Sequence, residues 1–154
     1  MLYGKVEITV TMNKPVGFVF FDIGGTLGDR DPATGNLDPF PTSAKLLTAV
    51  RDVIGLRIGV ITTLGPLSNA QGHALLEQAG LAGFLDPQGF VSEHDVGEVA
   101  KPHPAIYKFA AHKVGVPIEN CLYVGENLIE IMGALAAGMQ ALLKPCPPGR
   151  DLPI

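Results

Sequence analysis

Apolar runs alternate along the chain with segments that have the periodicity of helices. The runs are hydrophobic at most positions, which is typical of strands in a parallel sheet covered on both faces. They predict strands at Val16 to Phe21, Arg57 to Ile61, Gly89 to Val91, Cys121 to Val124 and Ala141 to Leu143. Four amphipathic segments between them predict helices. This alternation predicts an α/β fold, a doubly wound parallel sheet with right-handed crossovers.

Capping residues, prolines and glycines indicate where the helices begin and end. The first helix is expected to be capped by Thr42 or Ser43 and to end at Gly55. Its apolar positions follow the helical period: Leu46, Leu47, Val50, Val53 and Ile54. The other boundaries are Pro66 or Ser68 and Gly80 for the second helix, Pro104 and Gly115 for the third, and Gly138 after the fourth.

Two segments fall outside this alternation. Residues 5–11 alternate strictly between polar and apolar side chains, which predicts a half-exposed edge strand, unless Met12 rather than Met1 is the natural start. Gly28 to Pro41 is rich in Gly, Pro, Asp and Asn, which predicts a mobile loop over the strand ends. The chain therefore divides into an N-terminal extension or edge strand at 1–15, one core domain at 16–145 and a C-terminal tail at 146–154.

Composition and charge narrow the classes of function. The chain has 154 residues, of which 47% are hydrophobic, and this suits one compact domain. A formal net charge of −4 and the absence of a basic run argue against nucleic acid as a partner. No apolar stretch is long enough to span a membrane, and residues 1–11 lack the features of a signal peptide. We therefore expect a cytoplasmic protein with no membrane or nucleic-acid partner.

The junction after the first predicted strand carries the strongest chemical signal. Asp22 follows that apolar strand directly and is followed by Gly24 and Gly25. A carboxylate at the end of a buried strand is costly to desolvate, and neighbouring glycines allow backbone groups to approach a small anion or a metal ion. Ligands of doubly wound sheets bind beyond the carboxyl ends of the strands. The junction therefore predicts a phosphate-binding site.

Other polar residues follow the later strands. Thr62 and Thr63 offer hydroxyl donors for a phosphoryl oxygen, and Lys101 offers an ammonium group that can neutralise developing charge. Glu126 and Glu130 are four residues apart at the start of a helix, so we expect them to share one face. Like charges at this spacing repel unless a cation lies between them, and this favours a metal site.

Each of these residues also has a structural interpretation when it is taken alone. A single Asp after a strand is more often a turn or cap residue, and Gly24 and Gly25 can simply shape that turn. Thr62 and Thr63 can be strand-end hydroxyls, and an isolated Lys101 is more often a solvated charge. Acidic side chains such as those of the two glutamates are favoured at a helix N-terminus by the helix dipole.

The candidate residues and their order along the chain resemble the motifs of the haloacid dehalogenase-like (HAD) hydrolase superfamily. The resemblance covers Val16 to about Leu143. Its four motifs are Phe-Asp-Ile-Gly-Gly-Thr-Leu at 21–27, Val-Ile-Thr at 60–62, Lys101-Pro102, and Gly125-Glu126 with Glu130. Residues 75–84 and 92–107 also resemble the subfamily of phosphoglycolate phosphatase and its sugar-phosphatase relatives. The resemblance implies a Rossmann-like core of three layers.

The resemblance also implies a mechanism and a set of catalytic residues. Asp22 would attack phosphorus and become an aspartyl phosphate, which water then hydrolyses. Thr62 and Lys101 would orient the phosphoryl group and neutralise its charge, and Gly25 and Thr63 would complete the phosphate site. The implied substrate is a small phosphorylated compound or a phosphorylated macromolecule.

The cofactor implied by the resemblance is Mg²⁺. Its ligands would be a carboxylate oxygen of Asp22, the carbonyl of Gly24, and Glu126 directly or through water. Glu130 would lie behind these ligands.

Three departures from the family pattern change what is expected. Gly24 stands where the family's phosphatases carry a second aspartate that acts as acid and base, so activity should be reduced or specialised. Glu126 and Glu130 stand where aspartates are usual, which should weaken the binding of Mg²⁺. No segment is long enough for a cap domain, so the site should lie open or be covered by a second copy in a homo-oligomer.

Two hypotheses of different classes follow. The first is a magnesium-dependent HAD-like hydrolase acting on phosphate esters; family members that cleave carbon–halogen or carbon–phosphorus bonds also lack the second aspartate. The second is a HAD-fold protein that has lost turnover and serves as a phosphate-binding or protein-interaction module. A bound anion or metal ion between Asp22 and Lys101 would favour the first, whereas a direct ion pair between these side chains would favour the second.

Overall fold

The fold is a parallel sheet between two layers of helices, described for residues 14–145 in a computed structural model. The strands are β1 (Phe18–Phe21), β2 (Gly28–Arg30), β3 (Leu37–Pro39), β4 (Arg57–Thr62), β5 (Phe90–Ser92), β6 (Cys121–Gly125) and β7 (Gln140–Leu143). Five of them form one parallel sheet in the order β5-β4-β1-β6-β7. The predicted doubly wound α/β fold is confirmed, and the five predicted strands are those of this sheet. The edge strand predicted at residues 5–11 lies outside the described residues.

Four α-helices connect the strands. They are α1 (Ser43–Thr48), α2 (Asn69–Gln78), α3 (Pro104–Val114) and α4 (Leu128–Ala137), with short 3-10 turns at Ala82–Phe84, Glu93–Val96 and Ile118–Asn120. The predicted stop signals are confirmed, because four glycines in the left-handed conformation follow the helices: Gly55, Gly80, Gly115 and Gly138. Ser68 caps α2 with its side chain, as its position predicts.

The first helix differs from its prediction in two ways. A π-helical turn, Ala49–Ile54, continues α1, and its wider turn rotates Val53 and Ile54 away from the core. These two side chains are 82% and 65% exposed, so they do not belong to the apolar stripe. The residue at the N-cap, Thr42, makes no side-chain capping bond, and the Ser43 hydroxyl donates instead to the carbonyl of Leu27 at 2.6 Å.

Two apolar clusters fill the space on either face of the sheet. Alternate residues of β1 point to opposite faces, so Phe18 and Phe20 join one cluster while Val19 and Phe21 join the other. Helices α3 and α4 complete the first cluster, and α1 and α2 complete the second. This three-layer arrangement leaves the ends of the strands as the place where polar side chains can gather.

The segment predicted to be a mobile loop is a hairpin. Strands β2 and β3 pair antiparallel, with Arg30 opposite Leu37. Leu37 is only 6% exposed and packs into the second cluster, which holds the hairpin against the domain. No cap domain is inserted in the described part, because this hairpin fills the space between β1 and α1, and α2 and β5 lie between Thr63 and Lys101.

The register of the sheet brings the predicted strand ends to one edge. Phe21, the last residue of β1, lies beside Val60 of β4 and Val124 of β6. Asp22 therefore leaves the sheet between the carboxyl ends of two neighbouring strands, as a ligand site in this fold requires. In residues 14–145 no helix is long and apolar enough to cross a membrane.

Candidate active site at the carboxyl ends of the strands

Asp22 and Lys101 form a buried ion pair at this edge. The Lys101 ammonium donates to Asp22 Oδ1 at 2.8 Å, and the two side chains are 1% and 12% exposed. Lys101 reaches this position because the backbone at Pro102 packs closely on α4. A Cβ at Gly133 would collide with the carbonyl of Pro102, so this approach depends on a glycine there.

The two oxygens of the Asp22 carboxylate have different surroundings. Oδ1 accepts hydrogen bonds from the Ile23 backbone N–H and from the Lys101 ammonium, both at 2.8 Å. Within residues 14–145, Oδ2 accepts none. Burial raises the pKa of Asp22, and the neighbouring Lys101 offsets only part of this effect. The carboxylate is therefore held rigidly through one oxygen while the other remains available to a ligand.

Tyr123 and Glu130 contact the ammonium group, and Tyr107 supports Glu130 from behind. Lys101 also donates to Glu130 Oε2 at 3.1 Å and to the Tyr123 hydroxyl at 3.0 Å. The Tyr123 hydroxyl donates in turn to Glu130 Oε2 at 3.0 Å, and the Tyr107 hydroxyl donates to the Glu130 backbone carbonyl at 2.7 Å. Burial raises the pKa of both tyrosines, so both remain protonated donors.

The two threonines of the second strand end differ in exposure. Thr62 is 5% exposed, whereas Thr63 is exposed. The Thr62 hydroxyl makes no hydrogen bond to another described residue. Both threonines line a cavity of about 170 Å³ together with Gly24. Thr62 therefore has an unpaired hydroxyl at this cavity, and its role in binding a phosphoryl group stays a prediction.

The two glycines after Asp22 have different reasons for being glycine. Gly25 has φ of +74°, and a Cβ there would lie 2.6 Å from Glu126 Oε1. Its N–H donates to the Gly28 carbonyl at 2.9 Å, so this group is used within the turn and does not point to a ligand. Gly24 is exposed, and a Cβ there would meet no atom within 4 Å. Position 24 therefore has room for a side chain that it lacks.

The two glutamates of the fourth motif do not share a helix face. Asn127 caps α4 by accepting from the N–H groups of Ile129 and Glu130, so Glu126 precedes the helix. Glu126 lies over Gly25, whereas Glu130 is bound to Lys101. The prediction that a helical spacing places both carboxylates together is therefore wrong.

A hydrated Mg²⁺ is compatible with the donors at this edge. The described residues contain no cluster of three or more His, Cys, Asp or Glu side chains that could hold a metal ion. Mg²⁺ usually keeps several waters and needs only one or two carboxylates. Asp22 and Glu126 supply hard oxygen donors of this kind, and Glu130 is already bound to Lys101.

Three residues near the strand ends are absent from the sequence prediction. Tyr123 lies within an apolar strand and its pattern indicates only a core position, although a buried tyrosine hydroxyl usually needs a partner. Arg30 lies in the hairpin that was predicted as a loop. Glu93 directly follows β5, and this position at a strand end was the signal that could have identified it.

Glu93 fixes the loop that follows Thr62. Its carboxylate is 5% exposed and accepts from the N–H of Leu64 at 2.9 Å and of Gly65 at 2.7 Å. Burial by itself would raise the pKa of Glu93, but these N–H groups outweigh burial and the pKa lies below its ordinary value. The charged carboxylate therefore anchors the segment that carries both threonines.

Comparison with known families identifies the class of this protein. The haloacid dehalogenase-like hydrolase family matches residues 31–138, which is more than half of the chain. The chain therefore belongs to this family, as its motifs predicted. The match begins after the first motif and so does not include Asp22.

Individual relatives agree with this class. The chain is 29% identical over 154 residues to the putative phosphatase YhcW of Bacillus subtilis, covering 94% of this chain and 67% of that protein. It is 32% identical over 111 residues to a glyceraldehyde 3-phosphate phosphatase of Methanopyrus kandleri, covering 71% and 45%. A HAD family hydrolase of Deinococcus radiodurans, solved with bound phosphate and sodium, has the same fold at a TM-score of 0.65 and 21% identity, covering 89% and 83%. The chain thus spans less than half of the Methanopyrus relative.

Proposed function

We propose that this protein is a magnesium-dependent hydrolase of phosphate esters that works through an aspartyl phosphate at Asp22. The observation that carries the proposal is the asymmetric environment of the Asp22 carboxylate. Oδ1 is fixed by the Ile23 N–H and the Lys101 ammonium, and Oδ2 accepts no hydrogen bond from the described residues. A nucleophile needs this combination of fixed orientation and an accessible electron pair.

The residues at the strand ends have separate roles in the proposed reaction. Asp22 Oδ2 attacks phosphorus, and the bond from phosphorus to the leaving oxygen breaks with its electron pair on that oxygen, which takes up a proton from solvent water. The Lys101 ammonium neutralises charge on the phosphoryl group, and the Thr62 hydroxyl donates to one of its oxygens. Water then attacks the phosphorus of the aspartyl phosphate, which releases inorganic phosphate and restores the carboxylate.

Asp22, Glu126 and the carbonyl of Gly24 are the groups that would hold Mg²⁺. The ion supplies positive charge that stabilises the negatively charged phosphoryl group when it is bound. Glu130 has a different role, because its Oε2 accepts from both Lys101 and Tyr123 and so orients the ammonium. We infer that the two glutamates act separately, one toward the cation and one toward Lys101.

The names of the relatives support phosphate chemistry. Two of the matched proteins are named as phosphatases, one of them specifically for glyceraldehyde 3-phosphate. No cap domain covers the site within residues 14–145, so the substrate can be a small phosphorylated compound or a phosphorylated macromolecule. A second copy of the chain could cover the site in a homo-oligomer.

Two observations favour the alternative of a module without turnover. Lys101 contacts Asp22 directly at 2.8 Å, so the ammonium occupies one side of the nucleophile. Gly24 also lacks the acid and base side chain, whose loss typically lowers the rate by about 10²- to 10⁴-fold. Under this alternative the protein would bind phosphate or a partner and would not hydrolyse esters.

A panel of phosphate esters and acyl phosphates with Mg²⁺ separates the two functions when it is run on three proteins. The wild type should release phosphate from some esters, and Asp22→Asn should reduce this release to background. Gly24→Asp should raise activity, and the space at this position accommodates the new side chain. Equal inactivity of the wild type and Asp22→Asn toward esters and acyl phosphates alike, together with activity in Gly24→Asp, would contradict the proposed hydrolase and support the module.

A further inference from the structure

A small cavity adjoins the candidate active site. Its volume is about 170 Å³, and its lining includes Gly24, Thr62, Thr63, Arg30 and four leucines. A dry cavity of roughly 150 Å³ with comparable apolar walls accommodates a benzene ring. The cavity therefore has the size and the polarity for one small apolar group attached to a phosphoryl group held at Thr62.

The lining of this cavity contains no proton donor suited to catalysis. Its lining residues are glycines or carry aliphatic or hydroxyl-bearing side chains, apart from Arg30 with its guanidinium. Neither a threonine hydroxyl nor an arginine releases a proton near neutral pH. An alkoxide that leaves from phosphorus would need a proton, since alcohols ionise only at a pKa near that of water, far above neutral. A carboxylate needs none, because carboxylic acids ionise at a pKa of about 4.

We propose that the substrate of this site is an acyl phosphate with a small apolar acyl group, which lies in this cavity. The inference rests on the aspartyl-phosphate mechanism of the proposed function, and it names a mixed anhydride rather than an ester of an alcohol as the preferred substrate. Gly24 lines this cavity and brings no acidic side chain to it. The missing acid is not a loss for this substrate, whose leaving group departs as a carboxylate.

The reaction balances without any further reactant. Asp22 Oδ2 forms a bond to phosphorus, and the bond between phosphorus and the acyl oxygen breaks with its electrons on the departing carboxylate. Water then attacks the phosphorus of the aspartyl phosphate, and the bond from phosphorus to Oδ2 breaks. One proton of that water stays on inorganic phosphate and the other passes to solvent.

Arg30 is placed to recognise the leaving carboxylate. It lies opposite Leu37 in the hairpin, and both residues line the cavity. Its Nε donates to the Gly35 carbonyl at 2.9 Å, which fixes the side chain across the hairpin. An arginine guanidinium presents paired N–H donors that match the two oxygens of a carboxylate.

Benzoyl phosphate and benzyl phosphate test this inference, because they share the ring and the phosphoryl group and differ in the leaving group. The wild type should have a much higher kcat/KM for benzoyl phosphate, after correction for the uncatalysed rates. Gly24→Asp supplies an acid, so it should accelerate benzyl phosphate by about 10²-fold or more and leave benzoyl phosphate little changed. The ratio of kcat/KM for benzoyl phosphate to that for benzyl phosphate should therefore be smaller in this variant than in the wild type.

Binding of benzoate, followed by ligand-observed NMR without added Mg²⁺, gives a readout independent of turnover. Benzoate should bind the wild type and Asp22→Asn, and Arg30→Gln should weaken this binding about tenfold or more. Arg51→Gln is the matched control, because Arg51 is an exposed arginine paired with Asp52 and does not line the cavity.

The outcomes separate this inference from the proposed function. If benzyl phosphate is hydrolysed as well as benzoyl phosphate and the ratio is unchanged in Gly24→Asp, the substrate class is wrong while the hydrolase stands. If benzoate binds Arg30→Gln as tightly as the wild type, the role of Arg30 is wrong. If neither phosphate is hydrolysed faster than by Asp22→Asn, the proposed function and this inference both fail.

Discussion

The Lys101 ammonium lies 2.8 Å from Asp22 Oδ1, so an ion pair links two residues that are far apart in the sequence. The same nitrogen lies 3.1 Å from Glu130 Oε2, so one cation faces two carboxylates. This cluster carries an excess negative charge when both carboxylates are ionised. A divalent cation would offset that charge and allow a phosphate dianion to approach, which is the physical reason for expecting Mg²⁺ at this edge.

Replacing Lys101 with methionine should destabilise the protein strongly. The variant leaves the carboxylates of Asp22 and Glu130 largely buried without their cation, and such changes typically cost about 3–5 kcal/mol. Urea unfolding monitored by circular dichroism measures the loss. Lys108→Met is the control, because Lys108 is exposed on α3.

The double variant Lys101→Met/Asp22→Asn tests the origin of this loss. Removing the charge of Asp22 relieves part of the penalty, so the double variant should be more stable than Lys101→Met alone. A free energy of unfolding for Lys101→Met within about 0.5 kcal/mol of the wild type would contradict a buried ion pair.

Tyr123 and Tyr107 offer a matched pair of hydroxyl deletions. Either tyrosine-to-phenylalanine variant removes a hydrogen bond to Glu130 and should lower stability by about 1 kcal/mol. Only the Tyr123 hydroxyl contacts Lys101, so Tyr123→Phe should also reduce kcat. If misorientation of the ammonium removes about 1.4 kcal/mol of transition-state stabilisation, kcat should fall roughly tenfold. Steady-state kinetics on both variants distinguishes the roles. Equal kcat in the two variants would show that Tyr123 does not orient the ammonium.

The sequence predicts the sheet and the strand-end residues well. Apolar runs identify the inner strands β1, β4 and β6 because these are covered on both faces. Gly55, Gly115 and Gly138 mark helix ends because the chain adopts a left-handed conformation there. The order of the motifs predicts that Asp22 and Lys101 belong to the same site. Their meeting follows from the parallel register, which brings the carboxyl ends of the strands to one edge.

Other features depend on contacts that the pattern does not contain. The π-helical turn exposes Val53, although its spacing fits an α-helical stripe, because a wider turn changes the angle between residues. The hairpin was missed because its strands have three residues each and only Leu37 is an apolar anchor. Tyr123 was missed because a tyrosine in an apolar strand looks like core until the partner of its hydroxyl is known.

Glu93 should contribute stability that depends on pH. Its folded-state pKa lies below its ordinary value of 4.5, so it stabilises the fold fully above that pH and loses the contribution as the pH falls through the folded-state value. Glu93→Ala leaves the N–H groups of Leu64 and Gly65 without their acceptor and should cost about 1–3 kcal/mol at pH 7. Urea unfolding at several pH values below 7 should show that the difference in free energy of unfolding between the wild type and Glu93→Ala becomes smaller as the pH falls. A gap that stays constant with pH would contradict the role of the charge.

Mass spectrometry of the protein during turnover tests the central claim most directly. The wild type, mixed with Mg²⁺ and a phosphate donor and quenched in acid, should gain one phosphoryl group that maps to the peptide containing Asp22. Asp22→Asn should gain none, and Glu77→Gln, an exposed control on α2, should behave as the wild type. Hydrolysis without any phosphoryl group on Asp22, or with the group on another residue, would contradict the account.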